Sequence, residues 1–499
     1  MAHPERHSPP PRVPSWTGGP ARSFVQAARV ILGLVALAWA LPVPARIDLP
    51  DIGNPSATVI TPRQERVLGR KFMREARRHL RILDDPLLNE YLNSLGARLV
   101  SNSDDAGKAF TFFLVDDPTI NAFAVPGGFI GVDSGLILLT RSESELAAVL
   151  SHEIAHITQH HMARSIADAR RLALPTAAAL LAAILLATQS PEAGSAAIAA
   201  SQAGALQHRI NFTRTDEEEA DRIGIGILAR SGYNPYAMAD FFERMAQATR
   251  YQGARLPPFL RDHPVTTERI ADARARAARD PVAHPRDRLF YYLMRARLDV
   301  LVSQDPAATA RHFRERIADG QYERAEAAHY GYALALRRAG DYPRALQGLD
   351  RLLRKDPDRV EYLMAKAQTE LDAGRTHAAL TTCAYAARLY PDYYPLTIEY
   401  GNALLRAGRP DRARRLLLAY LRIGRPDPML YSLVARAASQ AKFVSESHEF
   451  QAEFYYLNGQ VRAAIGQLDR ALKSARSTFQ RERIQARLAQ FKREIKEKK

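Results

Sequence analysis

Within Ser151-His152-Glu153-Ile154-Ala155-His156, two imidazoles stand four residues apart and a carboxylate directly follows the first. On a helix of about 3.6 residues per turn, His152 and His156 project from one face and together can grip a zinc ion. Glu153 is then set to activate a water at an open coordination position, which is the chemistry of a hydrolase. Such a site wants one carboxylate ligand, and Glu217 is the best candidate. It lies on a stripe that continues as Ala220, Gly224 and Ile227, where a solvated carboxylate would be out of place. Asp221, one turn later, can accept the second N–H of a ligand histidine and fix its tautomer. Glu218 and Glu219 are expected to face solvent. His160 and His161, on a continuation of the first helix, are expected to be solvated or to cap its end.

These residues need rigid elements to hold them. Leu146, Val149, Leu150, Ile154 and Ile157 form an apolar helical stripe, with Ser142 and Glu145 as a capping box at its start. Thr215 and Glu218 form a second box, opening the helix that carries Glu217. Helical spacing also runs from Thr61 to Leu83 and from Asp85 to Val100. Phe110, Phe112 and Leu114 alternate as in a strand, and residues 121–132 predict a hairpin turning at Pro126 to Gly128. An edge strand there, with Asn121, Ala122, Phe123 and Ala124, could hold an extended substrate by main-chain hydrogen bonds; the alternative is a purely structural hairpin. Between the two halves of the site, Ala-rich runs over 172–206 predict an inserted helical hairpin. It would serve either as a lid over the cleft or as packed scaffolding.

The 499 residues, 46% hydrophobic and 25% charged, suit two or three globular domains, each with its own core. The net charge of +16 comes without a dense basic block interleaved with aromatics, so no nucleic-acid partner is expected; peripheral contact with an anionic membrane stays open. Cys383, the single cysteine, excludes an intrachain disulfide and a cysteine-ligated zinc. Arg22 and Arg29 precede an apolar run from Val30 to Leu41, and Val43 with Ala45 supplies the small residues of a signal-peptide cleavage site. Residues 1–45 therefore predict an exported protein with cleavage after Ala45. The alternative is an uncleaved N-terminal anchor facing the same compartment.

Past a linker near Asp280-Pro281 the chain repeats itself. Gly340, Gly374 and Gly408 are 34 residues apart, as are Ala345, Ala379 and Ala413, and as are Ala333, Ala367 and Gly401. This resembles the tetratricopeptide pattern, in which small residues let two helices approach and glycine turns the chain between them. A fourth, degraded unit keeps Ala435 but has Lys442 in the glycine's place, and the helices beyond should cap the stack. Residues 286–499 thus predict an α-α solenoid that presents a surface to protein partners or unfolded segments.

His152-Glu153-x-x-His156 followed by Glu217-x-x-x-Asp221 resembles the gluzincin arrangement. Asn121-Ala122-Phe123-Ala124-x-Pro126-Gly127-Gly128 narrows the resemblance to peptidases related to the CaaX prenyl protease and HtpX. Gly232-Tyr233-Asn234-Pro235 and the stretch from Asp262-His263-Pro264 to Arg269-Ile270 match further. The resemblance implies a mostly α metallopeptidase domain with a small sheet over residues 46–280, one Zn2+ per chain, and His263 and Arg269 at the active site. His263 would either donate to the oxyanion or bind zinc as a fourth ligand in a silent resting state; Arg269 would either orient a substrate carbonyl or form a plain surface ion pair. With the repeat array attached, the chain resembles an envelope quality-control endopeptidase of Gram-negative bacteria. That implies unfolded or misassembled outer-membrane proteins and their assembly machinery as partners. The alternative is mainly a chaperone or adaptor with repressed or minor proteolysis. An integral-membrane prenyl protease is disfavoured, since the several long apolar spans it needs are missing from the sequence.

Overall fold

The computed structural model describes residues 62–125, 127–165, 167, 213–251, 257–280, 287–424 and 427–496. The expected signal segment with its cleavage point, Pro126, the linker residues 281–286 and the expected hairpin over 172–206 lie outside them. Two helices lead, α1 (Pro62–His79) and α2 (Pro86–Ser101). Asp85 caps α2 by accepting from the Leu88 amide at 3.0 Å. Strands β1 (Thr111–Val115), β2 (Ala122–Val125) and β3 (Phe129–Asp133) form a sheet of order β1-β3-β2, with β3 parallel to β1 and antiparallel to β2. The expected hairpin is therefore present. Gly127 and Gly128 turn it at φ of 87° and 83°, and β2 is left on the edge.

After α3 (Ser134–Leu139) comes α4 (Glu143–Thr158), which carries both imidazoles. Ser142 caps it as expected, but the Glu145 carboxylate accepts from the Arg141 amide and pairs with Arg244 at 2.6 Å. Two expectations fail here. The helix does not run on through His161: it breaks at Gln159 and at His160, whose φ is 55°, and resumes over 161–165. Nor does Thr215 open the next helix, because α5 is already helical from 213 and runs to 230. Next come α6 (Ala237–Tyr251), α7 (Pro258–Asp262) and α8 (Thr267–Ala277).

From α9 (Leu289–Val302) onward the chain is a stack of antiparallel helices: α10 (Pro306–Ala318), α11 (Ala325–Arg338), α12 (Tyr342–Lys355), α13 (Val360–Asp372), α14 (Thr376–Leu389), α15 (Tyr394–Arg406), α16 (Pro410–Ile423), α17 (Pro428–Gln440), α18 (Val444–Leu457), α19 (Val461–Lys473) and α20 (Thr478–Lys496). Among the described residues no helix is long and apolar enough to cross a membrane.

The expected division into cores does not fall at the linker. One apolar cluster runs from Leu95 of α2, Val132 of β3 and Leu150 of α4 through Tyr291 of α9 to Tyr330, Met364 and Leu396 in the repeats. Polar ties cross the same boundary: Arg297 grips Asp85 at 2.7 Å, and Arg288 pairs with the fully buried Glu143 at 2.8 Å. The far end of the stack returns to α1. Arg74 lies over the Tyr456 ring, donates to its hydroxyl at 3.2 Å and pairs with Glu494. The other end of α1 abuts the β2–β3 turn, where a Cβ on Gly127 would come within 2.7 Å of the Glu65 carbonyl.

The repeat reading explains one oddity. Gly340, Gly374 and Gly408 turn their helix pairs at φ of 83°, 74° and 68°, and Lys442 holds the same turn at φ 65°. A side chain there costs about 1–2 kcal/mol. Lys442→Gly should stabilise the protein by about 1 kcal/mol, while Gly374→Ala, with open space around it, should cost about as much through the backbone alone. Denaturant unfolding of the two variants measures both.

Candidate active site

The site is built where α4 and α5 cross. Gly224 of α5 faces His152, and a Cβ there would sit 3.2 Å from the His152 nitrogen, so only glycine allows this approach without displacement. The crossing carries Glu217, 4% exposed, to the two imidazoles. Its Oε2 lies 3.3 Å from His152 Nε2 and its Oε1 3.4 Å from His156 Nε2, while the two Nε2 atoms are 3.0 Å apart. His263, which ends α7, puts its Nδ1 2.8 Å from Glu217 and 3.3 Å from His152 Nε2. Four donors about 2.0–2.1 Å from a tetrahedral zinc stand roughly 3.3–3.4 Å from one another. The set of three nitrogens and one carboxylate thus fits a divalent zinc-like ion in composition and spacing.

The electrostatics agree. Burial opposes charge on His152, yet Glu217 and Asp221 outweigh it and raise the imidazole to about 10. Burial likewise opposes the Glu217 carboxylate, but His152 and the other imidazoles hold it far below the usual range. The cluster draws positive charge to its centre. For His156 burial prevails and lowers the imidazole to about 4, so the neutral ring offers one unprotonated nitrogen.

Asp221, 3% exposed, lies 2.9 Å from His152 Nδ1, the place expected of it. Arg269 departs from the expected surface pair. It is 6% exposed and bonds both Asp221 oxygens at 2.7 and 2.8 Å, with Nη1 3.1 Å from Glu217 and 2.7 Å from the Pro264 carbonyl. Its guanidinium also stacks on Phe242. Its polar groups are thus committed to Asp221, Glu217 and the Pro264 carbonyl, so it braces the two carboxylates and is not a surface pair.

Glu153 is 1% exposed, and its Oε1 has no hydrogen-bond partner among the described residues; His263 Nε2 is 3.6 Å away. It lines a cavity of about 230 Å³ together with His156, His263 and the β2 residues Ala122, Phe123 and Ala124. The edge strand and two of the four clustered donors, His156 and His263, therefore border one space. Asn121 lies just before β2, and its carbonyl accepts from the Asp133 amide.

Glu218 is exposed as expected and Glu219 is half-buried, but His161 is buried. His161, 4% exposed, has Nδ1 2.8 Å from His156 Nδ1 and Nε2 3.3 Å from Glu219, which in turn pairs with Arg164 at 2.6 Å. Burial and then Arg164 lower the His161 imidazole to about 4. The signal for this group was present in the sequence as a histidine and an arginine just past the motif. The left-handed residue that folds them back was not legible.

A buried His-His-Glu cluster braced by an Asp–Arg pair, an adjacent buried glutamate and an open edge strand define a metallopeptidase, and the repeat stack makes it one with a protein-binding arm. Residues 86–277 match peptidase family M48, and 299–360, 330–394 and 370–437 match tetratricopeptide repeats. The chain is 36% identical over 443 residues to a putative beta-barrel assembly-enhancing protease of Vibrio cholerae, covering 88% of this chain and 91% of the relative. It is 34% identical over 466 residues to the beta-barrel assembly-enhancing protease of Escherichia coli K12, covering 93% and 95%. The mitochondrial metalloendopeptidase OMA1 of Schizosaccharomyces pombe is 32% identical over 187 residues, 36% of this chain and 50% of that one. The chain belongs to peptidase family M48, among its beta-barrel assembly-enhancing proteases.

Removing Arg269 should show how much the site depends on it. Arg269→Leu leaves Asp221 and Glu217 buried with their counter-charge gone and should cost about 3–5 kcal/mol in denaturant unfolding. Asp221→Asn in the same chain should recover part of that loss, measured as a coupling energy in a double-mutant cycle.

Proposed function

We propose that this chain is an exported, zinc-dependent endopeptidase that acts on unfolded or misassembled outer-membrane proteins in the periplasm, with its repeats docking substrates or their assembly machinery. The observation that carries the catalytic part is a cavity in which His156 and His263 of the four-donor cluster, Glu153 and the edge strand β2 all take part. His152, His156 and Glu217 would hold the zinc, which when bound polarises a carbonyl and acidifies water. An extended substrate adds to the free edge of β2, presenting its backbone to Glu153 with little demand on side-chain identity. Glu153 takes a proton from the attacking water and delivers it to the departing amine, a transfer its unpartnered oxygen is free to make. Asp221 and Arg269 hold His152 and Glu217 in place throughout.

The position of His263 supports its silencing role. Its Nδ1, 2.8 Å from Glu217 and 3.3 Å from His152 Nε2, would compete with water for a zinc held by the other three residues, and turnover would then require it to move aside. The same observation favours a second reading, in which binding through the repeats is the main activity and proteolysis is held in check. A polar cavity of about 430 Å³ on the repeats, lined by Arg337, Gln368, Asn402, Arg406 and Arg436, suits polypeptide backbone and side-chain amides.

Metal analysis with casein cleavage tests the site: the protein should carry one zinc, Glu217→Gln should lose it, and Glu153→Gln should keep it while cleavage falls at least 100-fold. A Glu217→Gln protein with full zinc and full cleavage would overturn the assignment. His263→Ala should raise casein cleavage above wild type; abolished turnover with zinc retained would assign His263 to the oxyanion instead. If Glu153→Gln still restores outer-membrane assembly in cells lacking the protein, the adaptor reading is the correct one.

A further inference from the structure

The break in the helix after α4 gives His161 a place that no regular helix offers. Five residues beyond His156 on an unbroken helix, it would point about 140° away. The left-handed turn at His160 brings the two Nδ1 atoms to 2.8 Å instead. Two facing imidazole nitrogens at that distance share one proton, so one donates and the other accepts.

The direction is fixed by the chemistry at either end. A His156 that coordinates through Nε2 carries its proton on Nδ1 and must donate it, so His161 accepts at Nδ1. His161, neutral, then carries its own proton on Nε2, which faces Glu219 Oε2 at 3.3 Å. That carboxylate is held by Arg164 Nη2 at 2.6 Å, and the same nitrogen reaches Asp216 at 2.8 Å. His161, Asp216 and Glu219 by themselves have the spacing of a second metal cluster, but the Arg164 guanidinium already supplies their positive charge.

We propose that His161 is a positioning residue, an imidazole inserted between a ligand histidine and its carboxylate, which sets the tautomer and ring plane of His156. The two ligand imidazoles are then wired alike. His152 ends on Asp221 held by Arg269, and His156 ends, one ring further out, on Glu219 held by Arg164. The carboxylate in each chain makes the coordinating nitrogen more basic and stops the ring from turning. This rests on the reading of His156 as a zinc ligand.

The test is zinc affinity of the full chain, measured by competition with a chelator. His161→Phe, which fills the space but accepts and donates nothing, should bind zinc 10–100-fold more weakly, with the melting temperature of the zinc-free protein unchanged. His161→Asn, whose amide can accept from His156 and donate toward Glu219, should bind within a few-fold of wild type. Wild-type affinity in His161→Phe, alongside loss of zinc in His156→Ala, would overturn the proposal while leaving the ligand assignment intact. Equal losses in His161→Phe and His161→Asn would overturn it too, since shape and not hydrogen bonding would then matter. Zinc retained by His156→Ala would sink the ligand assignment, and this inference with it.

Discussion

Everything in the catalytic half follows from how closely α4 and α5 can approach. Glu217 and the two imidazoles lie on different helices, and Gly224 lets those helices approach closely because it puts no carbon between the two backbones. The approach in turn buries two carboxylates and an imidazole pair, an arrangement that costs several kcal/mol per charge unless each is compensated. Arg269 supplies one compensating charge from α8, and a bound cation would supply the rest. Packing and electrostatics therefore depend on one another. A side chain in place of the glycine would push the two helices apart by a few tenths of an ångström, and without the positive charges the close crossing becomes repulsive.

Much of this was legible in the sequence because the constraints are local and periodic. The i, i+4 histidines, the carboxylate on an apolar stripe and the second carboxylate one turn later all rest on helical spacing, which the structure keeps. The hairpin was legible from its glycines, and the repeats from small residues 34 apart. The failures came where a single backbone angle or a distant partner decides. Nothing in His160 announces a left-handed conformation, so His161 read as solvated when it is buried. The bracing role of Arg269 was not legible, because its partners Asp221 and Glu217 lie some fifty residues away in the chain. The shared core escaped for the same reason, since composition shows a linker but not what packs across it.

That shared core changes what the repeat arm is. A solenoid is stabilised by its neighbours and can usually be lengthened or shortened by whole units. Here the first units also pack on the peptidase through Tyr291, Tyr330, Met364 and Leu396, with the buried Asp85–Arg297 pair at the seam. The arm is therefore tied to α2 and to the start of α4, and α4 lines the cleft. Neither half has a complete apolar surface without the other.

The clasp between Arg74 and Tyr456 joins residues 382 positions apart. A ribosome will have released α1 long before α18 and α20 exist, so this helix must wait, with its arginine unpaired, until the last repeats emerge. Any product terminated early in the arm would leave the same gap permanently. The clasp is thus a contact of very high sequence separation, one that can close only after the last repeats have been made.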